Sequence, residues 1–246
     1  MAGTAVRGRL TWETATVGAV IDETSKVRTL SLDVPGWGGH QAGQHLDIAL
    51  TGDDGYRAER SYSIASAPGE PVAITVERLD DGEVSPYLTE IAEPGDQLEM
   101  RGPIGGWFAW PSNDPRPLLL LAGGSGIVPL MSMIRAHGAA KSEVPVGLIY
   151  SVRSPADVIY QTELSERSLS SPLTVDYRYT RSAPPGKRPG RIDAAAITRL
   201  APPPAANPDI FVCGPSGFVE AATSLLVDAG HTPATIKTER FGPTGT

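Results

Sequence analysis

Five apolar residues, Leu118-Leu119-Leu120-Leu121-Ala122, run into Gly123-Gly124-Ser125-Gly126 and then directly into Ile127-Val128-Pro129. A short apolar run closed by glycines reads as a strand buried on both faces, the habit of parallel sheets. The window behind it reads as a helix. A glycine turn between strand and helix lets the backbone approach a pyrophosphate while the helix N-terminus favours its charge. The third glycine of Gly-x-Gly-x-x-Gly is missing, so an ordinary glycine turn also accounts for these letters.

The same texture continues to the C-terminus. Apolar runs at 118–122, 146–151, 174–179 and 209–213 alternate with helix-like windows at 129–137, 160–168, 193–200 and 217–229. That order predicts an α/β domain with a doubly wound parallel sheet. Before residue 111 the pattern is different. Segments such as 27–32, 44–49, 73–78 and 97–101 alternate apolar and polar residues between Gly, Pro and Asp clusters, which predicts an antiparallel β-barrel or sandwich. One helix is expected over 85–93. The Pro-flanked polar segment Pro111-Ser112-Asn113-Asp114-Pro115 marks the change, dividing the chain into domains 1–113 and 114–246. A length of 246 residues suits two domains.

Charge separates the halves as well. Residues 1–113 carry 8 Lys and Arg against 17 Asp and Glu, whereas 114–246 carry 13 against 11, so the second half is the better host for a phosphate-rich ligand. A net charge of −7 argues against nucleic acid as a partner. No run approaches the roughly 18 apolar residues of a membrane span. The first eleven residues lack the apolar core of a signal peptide, so a soluble, cytoplasmic protein is expected. Cys213 is the one cysteine, and the four histidines form no His-x3-His pair. Neither an internal disulfide, a four-cysteine cluster nor a bound metal is expected.

Several shorter patterns carry candidate chemistry. Arg60-Ser61-Tyr62-Ser63 ends a predicted strand with a cation, an aromatic plane and a hydroxyl, which together can address a flat ring and a pyrophosphate. An ordinary half-exposed strand with Tyr62 in the core has the same letters. Gly82-Glu83-Val84-Ser85 reads as a turn entering a helix with Ser85 at or near the N-cap, where backbone N–H groups could receive phosphate. After the second strand of the α/β half, Ser151 and Arg153 stand where a dinucleotide's adenosine ribose would lie. No acidic residue is there to select a bare 2′-hydroxyl, so NADP is favoured. Arg153 could instead pair with Asp157 or Glu163. Cys213-Gly214-Pro215 ends the last buried strand, and a turn just after the sulfur would aim Cys213 into the crevice; buried packing is the alternative. Ala234-Thr235-Ile236 reads as a strand that ties down the tail containing Glu239 and Phe241.

In this order and at this spacing the motifs resemble the ferredoxin-NADP reductase family over about residues 15–241. The resemblance implies an FAD-binding antiparallel barrel followed by an NAD(P)-binding α/β domain, with FAD and NADPH or NADH as cofactors. It implies that Arg60 meets the flavin pyrophosphate, Tyr62 the isoalloxazine face and Ser63 the flavin N5. Val76, Arg78, Gly82, Val84 and Ser85 then cradle the ribityl chain and phosphates. Gly123, Gly124, Gly126, Ile127 and Pro129 match the nicotinamide signature, and Gly214 and Pro215 complete a Cys-Gly-Pro element that puts Cys213 beside the nicotinamide. Glu239 and Phe241 fall at the family's Glu-x-aromatic end. Ser63, Cys213 and Glu239 are accordingly the candidate catalytic residues. Two departures stand out: the terminal aromatic is Phe, and the chain continues past it to Thr246.

The activity implied by the resemblance is that of an oxidoreductase which takes a hydride from NAD(P)H onto FAD and passes electrons to an external acceptor protein. A ferredoxin, flavodoxin or Rieske protein, or a haem or molybdenum enzyme, would fill that role. A regulatory or electron-transfer subunit of the same fold, binding FAD without independent turnover, is the alternative. A reductase that releases free reduced flavin is opposed by the phosphate grip of Arg60 and Ser85.

Overall fold

The computed structural model describes residues 10–52 and 54–241. The N-terminal stretch before residue 10 and the tail from Gly242 onward, on which the leader and tail-extension readings partly fall, lie outside the described residues. No helix among the described residues is long and apolar enough to cross a membrane.

Strands β1 (Glu13–Thr24), β2 (Val27–Asp33), β3 (His45–Thr51), β4 (Arg57–Ser63), β5 (Val72–Glu77) and β6 (Gln97–Ile104) form an antiparallel sheet in the order β4-β3-β6-β1-β2-β5. The sheet closes on itself just beyond β4, where Ile64 bridges Ile74 and Ala65 N–H donates to Ala73 O at 2.7 Å. Closure follows from the period-2 pattern. Leu30 and Leu32, Leu46 and Ile48, Ile74 and Val76, and Leu98 and Met100 all turn into one buried cluster.

The helix expected over 85–93 is shorter and wound differently, a π-helical turn at Tyr87–Ile91. Ser85 does not cap it. Its hydroxyl accepts the Leu79 N–H at 3.1 Å, which ties down the preceding loop.

In the second half, β7 (Leu118–Gly123), β8 (Val146–Val152), β9 (Leu173–Tyr179), β10 (Asp209–Pro215) and β11 (Ile236–Phe241) form a parallel sheet ordered β11-β10-β7-β8-β9. Helices α1 (Ile127–Ala139) and α2 (Gln161–Ser170) cover one face, and α3 (Ala194–Leu200) and α4 (Ser216–Asp228) the other. The leucine run feeds both faces: Leu118 and Leu120 pack with α1, whereas Leu119 and Leu121 pack with α3 and α4. Asp193 caps α3 by accepting the Ala196 N–H at 2.8 Å. The strand expected at 234–236 begins only at Ile236. Pro233–Thr235 forms a 3-10 turn instead, because Pro233 fixes φ and Thr235 N–H closes back on Thr232 O at 2.9 Å.

The barrel does not hang on a polar linker. Between β6 and β7, Phe108 and Trp110 are buried; Trp110 N–H donates to Ala42 O at 2.9 Å and its ring stacks over His137 of α1. Phe108 meets Phe211 of β10 edge to face with ring centres 5.2 Å apart. The two halves therefore share one apolar cluster on the α1 face of the sheet.

Candidate functional site

In the parallel sheet, β7 leads outward to β8 and β9 on one side, while β10 and β11 lie on the other. Ligands of such sheets bind beyond the strand carboxyl ends at this reversal, here between Gly123–Gly126 and Cys213–Pro215. The glycines serve the crossing itself. A Cβ on Gly126 would fall 2.2 Å from Cys213 O, and one on Gly123 would fall 2.8 Å from the Phe218 ring. Gly214, at φ +152°, faces Gly123 O at 2.9 Å in the same sense.

Thus Gly123, Gly126, Ile127, Pro129 and Gly214 are buried, and the surface left to a ligand is Gly124, Ser125, Pro215, Ser216 and Gly217. Gly124, at φ +55°, has open space where a side chain would stand. Both α1 and α4 begin at this crevice, so two helix N-termini converge on it. Sequence reasoning misses the contribution of Ser216 and Gly217, although Pro215-Ser216-Gly217 ahead of an apolar helical window is a legible start signal.

Cys213 is 0% exposed. β10 runs on through Gly214 to Pro215, so the expected turn directly after the sulfur is absent and the thiol packs in the cluster shared with α1 and the barrel. Burial, and then the neighbouring Glu239, push its pKa well up, leaving it a thiol. Cys213 and Glu239 are register partners on adjacent strands. Burial raises the Glu239 carboxyl to about 7, placing its titration in the neutral range. Phe241, two residues on, packs against the same cluster.

On the barrel side, Ser63 ends β4. It is 5% exposed, and its hydroxyl has no hydrogen-bond partner among the described residues. A buried hydroxyl left unpaired costs roughly 1–3 kcal/mol, so an acceptor or donor supplied by a ligand would satisfy it. Tyr62 lies half-buried against the barrel core, and burial raises its phenol pKa. Arg60 is exposed and forms an ion pair with Glu83; Glu83 also accepts the Tyr56 hydroxyl at 2.6 Å. This pair ties the Arg60 strand to the Gly82–Ser85 turn and neutralises the guanidinium, so Glu83 must release Arg60 before it can meet a phosphate. Those features fit a flavin dinucleotide: a cation for its phosphates, and an aromatic plane and an unpaired hydroxyl for its ring.

Other expected ligand residues stand elsewhere. Val76 and Val84 are 0% exposed in the barrel core, because strand alternation turns Val76 inward beside Ile74 and Val84 packs under the π-helical turn. Neither presents surface to a ligand. Arg78 sits on the barrel surface and is paired with Glu90 and Asp80. Gly82 has its side-chain space filled by Ser85 Oγ at 2.6 Å. At the end of β8, Ser151 is buried and Arg153 exposed. Neither suggested partner holds Arg153: Glu163 is engaged by Arg135 and Arg167, and Asp157 accepts the Ser154 hydroxyl at 2.6 Å.

A closed antiparallel barrel joined to a doubly wound sheet, with these two half-sites, defines the class of two-domain flavin and nicotinamide oxidoreductases. Residues 15–108 match the model of the oxidoreductase FAD-binding domain, and 120–224 that of the oxidoreductase NAD-binding domain. The chain belongs to the ferredoxin-NADP reductase-like family. It is 33% identical over 238 residues to the glycine betaine monooxygenase reductase subunit of Chromohalobacter salexigens, which covers 92% of this chain and 63% of that protein. Against the toluate 1,2-dioxygenase electron transfer component of Pseudomonas putida it is 31% identical, over 81% of this chain and 58% of the relative. The chain thus spans less than two thirds of either relative. The crystal structure of an Amycolatopsis cytochrome P450 reductase superposes with a TM-score of 0.83 at 26% identity, covering 98% of this chain and 74% of that one.

Proposed function

We propose that this chain is an FAD-dependent NAD(P)H reductase that hands electrons to a separate acceptor protein. The observation that carries the reading is the buried Ser63 hydroxyl at the end of β4, which has no hydrogen-bond partner among the described residues. Bound in the two half-sites, the nicotinamide would supply a hydride and be oxidised, and the flavin would accept it and could pass its electrons on singly.

The protein's own part is to bind, orient and exclude water. Arg60, once released by Glu83, holds phosphate, Tyr62 supports the ring, and Ser63 donates to or accepts from its edge. Gly124, Ser125 and the starts of α1 and α4 receive the second dinucleotide's pyrophosphate. Cys213 shapes the apolar wall behind it, and Glu239, poised near neutrality, holds or releases a proton. The exposed Arg153 at the end of β8 suits a 2′-phosphate, which favours NADPH over NADH, while Ser151 is buried behind it. The names of the two relatives, parts of multicomponent oxygenases, support an oxygenase or its ferredoxin as the acceptor. A cytoplasmic location, where both nicotinamide dinucleotides are supplied, belongs to the same reading.

Anaerobic stopped-flow absorbance tests it. Flavin-loaded protein mixed with NADPH is expected to bleach rapidly, and faster than with NADH. Protein that binds FAD but is bleached by neither would support the regulatory-subunit alternative, and protein that does not take up FAD would overturn both.

A further inference from the structure

Helix α1 touches both half-sites. Its N-terminus follows Gly126 at the dinucleotide crevice, and eight residues on, about 12 Å along its axis, Arg135 reaches across to the barrel. Arg135 Nη1 donates to Ala65 O at 2.8 Å. Ser132, one turn earlier and fully buried, donates to Ser66 O at 2.6 Å. These carbonyls stand two and three residues beyond Ser63. The helix that begins at the dinucleotide crevice is therefore fastened to the strand end that carries the flavin-facing hydroxyl.

The fastening is rigid. Arg135 lies half to mostly buried and forks onto Glu163 of α2 with Nε and Nη2 at 3.1 and 2.6 Å, leaving Nη1 for Ala65. Its guanidinium also lies over the Tyr160 ring, 4.9 Å from the ring centre. Tyr160 holds a left-handed backbone at φ +59° and sends its hydroxyl to Thr75 of the barrel. A non-glycine residue keeps such a conformation only where its surroundings over-determine it.

We infer that Arg135, with Ser132, is a positioning residue for the transfer step: through the Ala65 and Ser66 carbonyls, α1 sets the separation between the dinucleotide site and the flavin site. The inference rests on the reductase reading above. Displacement of reacting groups by about 1 Å lowers rates by as much as a hundredfold, so loss of the fastening registers in the transfer rate rather than in ligand affinity.

The experiment compares Arg135→Met, Arg135→Lys and Ser132→Ala with the unaltered protein and with Arg116→Ala. Arg116 bridges Asp114 and Asp209 at 2.7 Å each, near the start of β7 and β10 and away from the crevice, so it controls for simple loss of an ion pair. In flavin-loaded protein the limiting bleaching rate with NADPH is expected to fall roughly ten- to a hundredfold in Arg135→Met. Half-saturation should change less than about twofold, and the isotope effect from deuterated nicotinamide should become steeper with temperature. Arg135→Lys, which keeps the charge but not the fork, and Ser132→Ala should fall between.

A second readout needs no cofactor: the distance distribution between spin labels at Ser25→Cys in the barrel and Asp228→Cys on α4. Cys213 is buried and does not compete for label. That distribution should broaden in Arg135→Met and stay narrow in Arg116→Ala. Unchanged limiting rates, isotope effects and label distances in both folded Arg135→Lys and Ser132→Ala would overturn the inference, whatever Arg135→Met does. Failure of the unaltered protein to bleach would overturn the reductase reading itself, while the label distances would still judge the fastening.

Discussion

The two half-sites are built from different material. In the barrel the site consists of side chains on a frame that does not need them: Arg60 is exposed, Ser63 has no partner among the described residues, and the alternating residues of the strands close the barrel regardless. In the α/β half the site consists of backbone, and the residues that shape it are those the fold depends on. Gly126 is the clearest instance, with another chain segment 2.2 Å from where its Cβ would be. Function and stability are thus separable on one side of the cleft and bound together on the other.

Substitution at Gly126 tests that contrast most severely. Gly126→Ala sets a methyl group against the Cys213–Gly214 backbone, which cannot rotate away, and is expected to cost at least about 3 kcal/mol. Urea unfolding would measure it, and a loss under about 1 kcal/mol would break the comparison.

Glu239 comes next, on the same side. Its carboxyl is raised from 4.5 to about 7, so the folded chain binds this proton more tightly than the unfolded one. The stabilisation from that bound proton is fully present below pH 4.5. Stability falls as pH rises from about 4.5 to 7 and then stays lower, by on the order of 3 kcal/mol. Glu239→Gln should flatten that slope and leave the protein more stable at pH 8; parallel pH-stability curves would refute the assignment.

A smaller effect belongs to Arg153, an exposed cation at the rim. Arg153→Ala is expected to raise KM for NADPH about tenfold, equivalent to roughly 1.4 kcal/mol, and to leave KM for NADH and the melting temperature nearly unchanged. Equal effects on both nucleotides would remove Arg153 from the 2′-phosphate site. The smallest loss is expected on the barrel side. Ser63→Ala deletes a buried hydroxyl that has no partner among the described residues, so flavin-free protein should lose no stability and should gain about 1 kcal/mol, while flavin bleaching slows. A loss above about 1 kcal/mol in flavin-free protein would show that the hydroxyl serves the fold.

Much of the fold is legible from local pattern. Period-2 alternation in the first half and apolar runs between helical windows in the second are consequences of burial on one face or two, and the observed strands and helices follow them within a few residues. Pattern and structure part where a specific neighbour decides the outcome. Ser85 has the letters of a helix cap, but its hydroxyl accepts from Leu79 N–H instead. Val76 and Val84 fall at ligand positions by motif and belong to the core by packing. The strand expected at 234–236 gives way to the turn set by Pro233.

By itself, then, the sequence determined two domains of different class, their order, and the strand-end motifs from which a dinucleotide site is made, because periodicity and glycine turns act over a few residues. Tertiary structure alone decided which motif glycines remain open to a ligand, that Arg60 and Glu83 join two separate segments, that Glu239 stands beside Cys213, and that Arg135 fastens α1 to the end of β4. Each of those pairings joins elements roughly 20 to 95 residues apart, and such contacts come from packing geometry that no local pattern encodes.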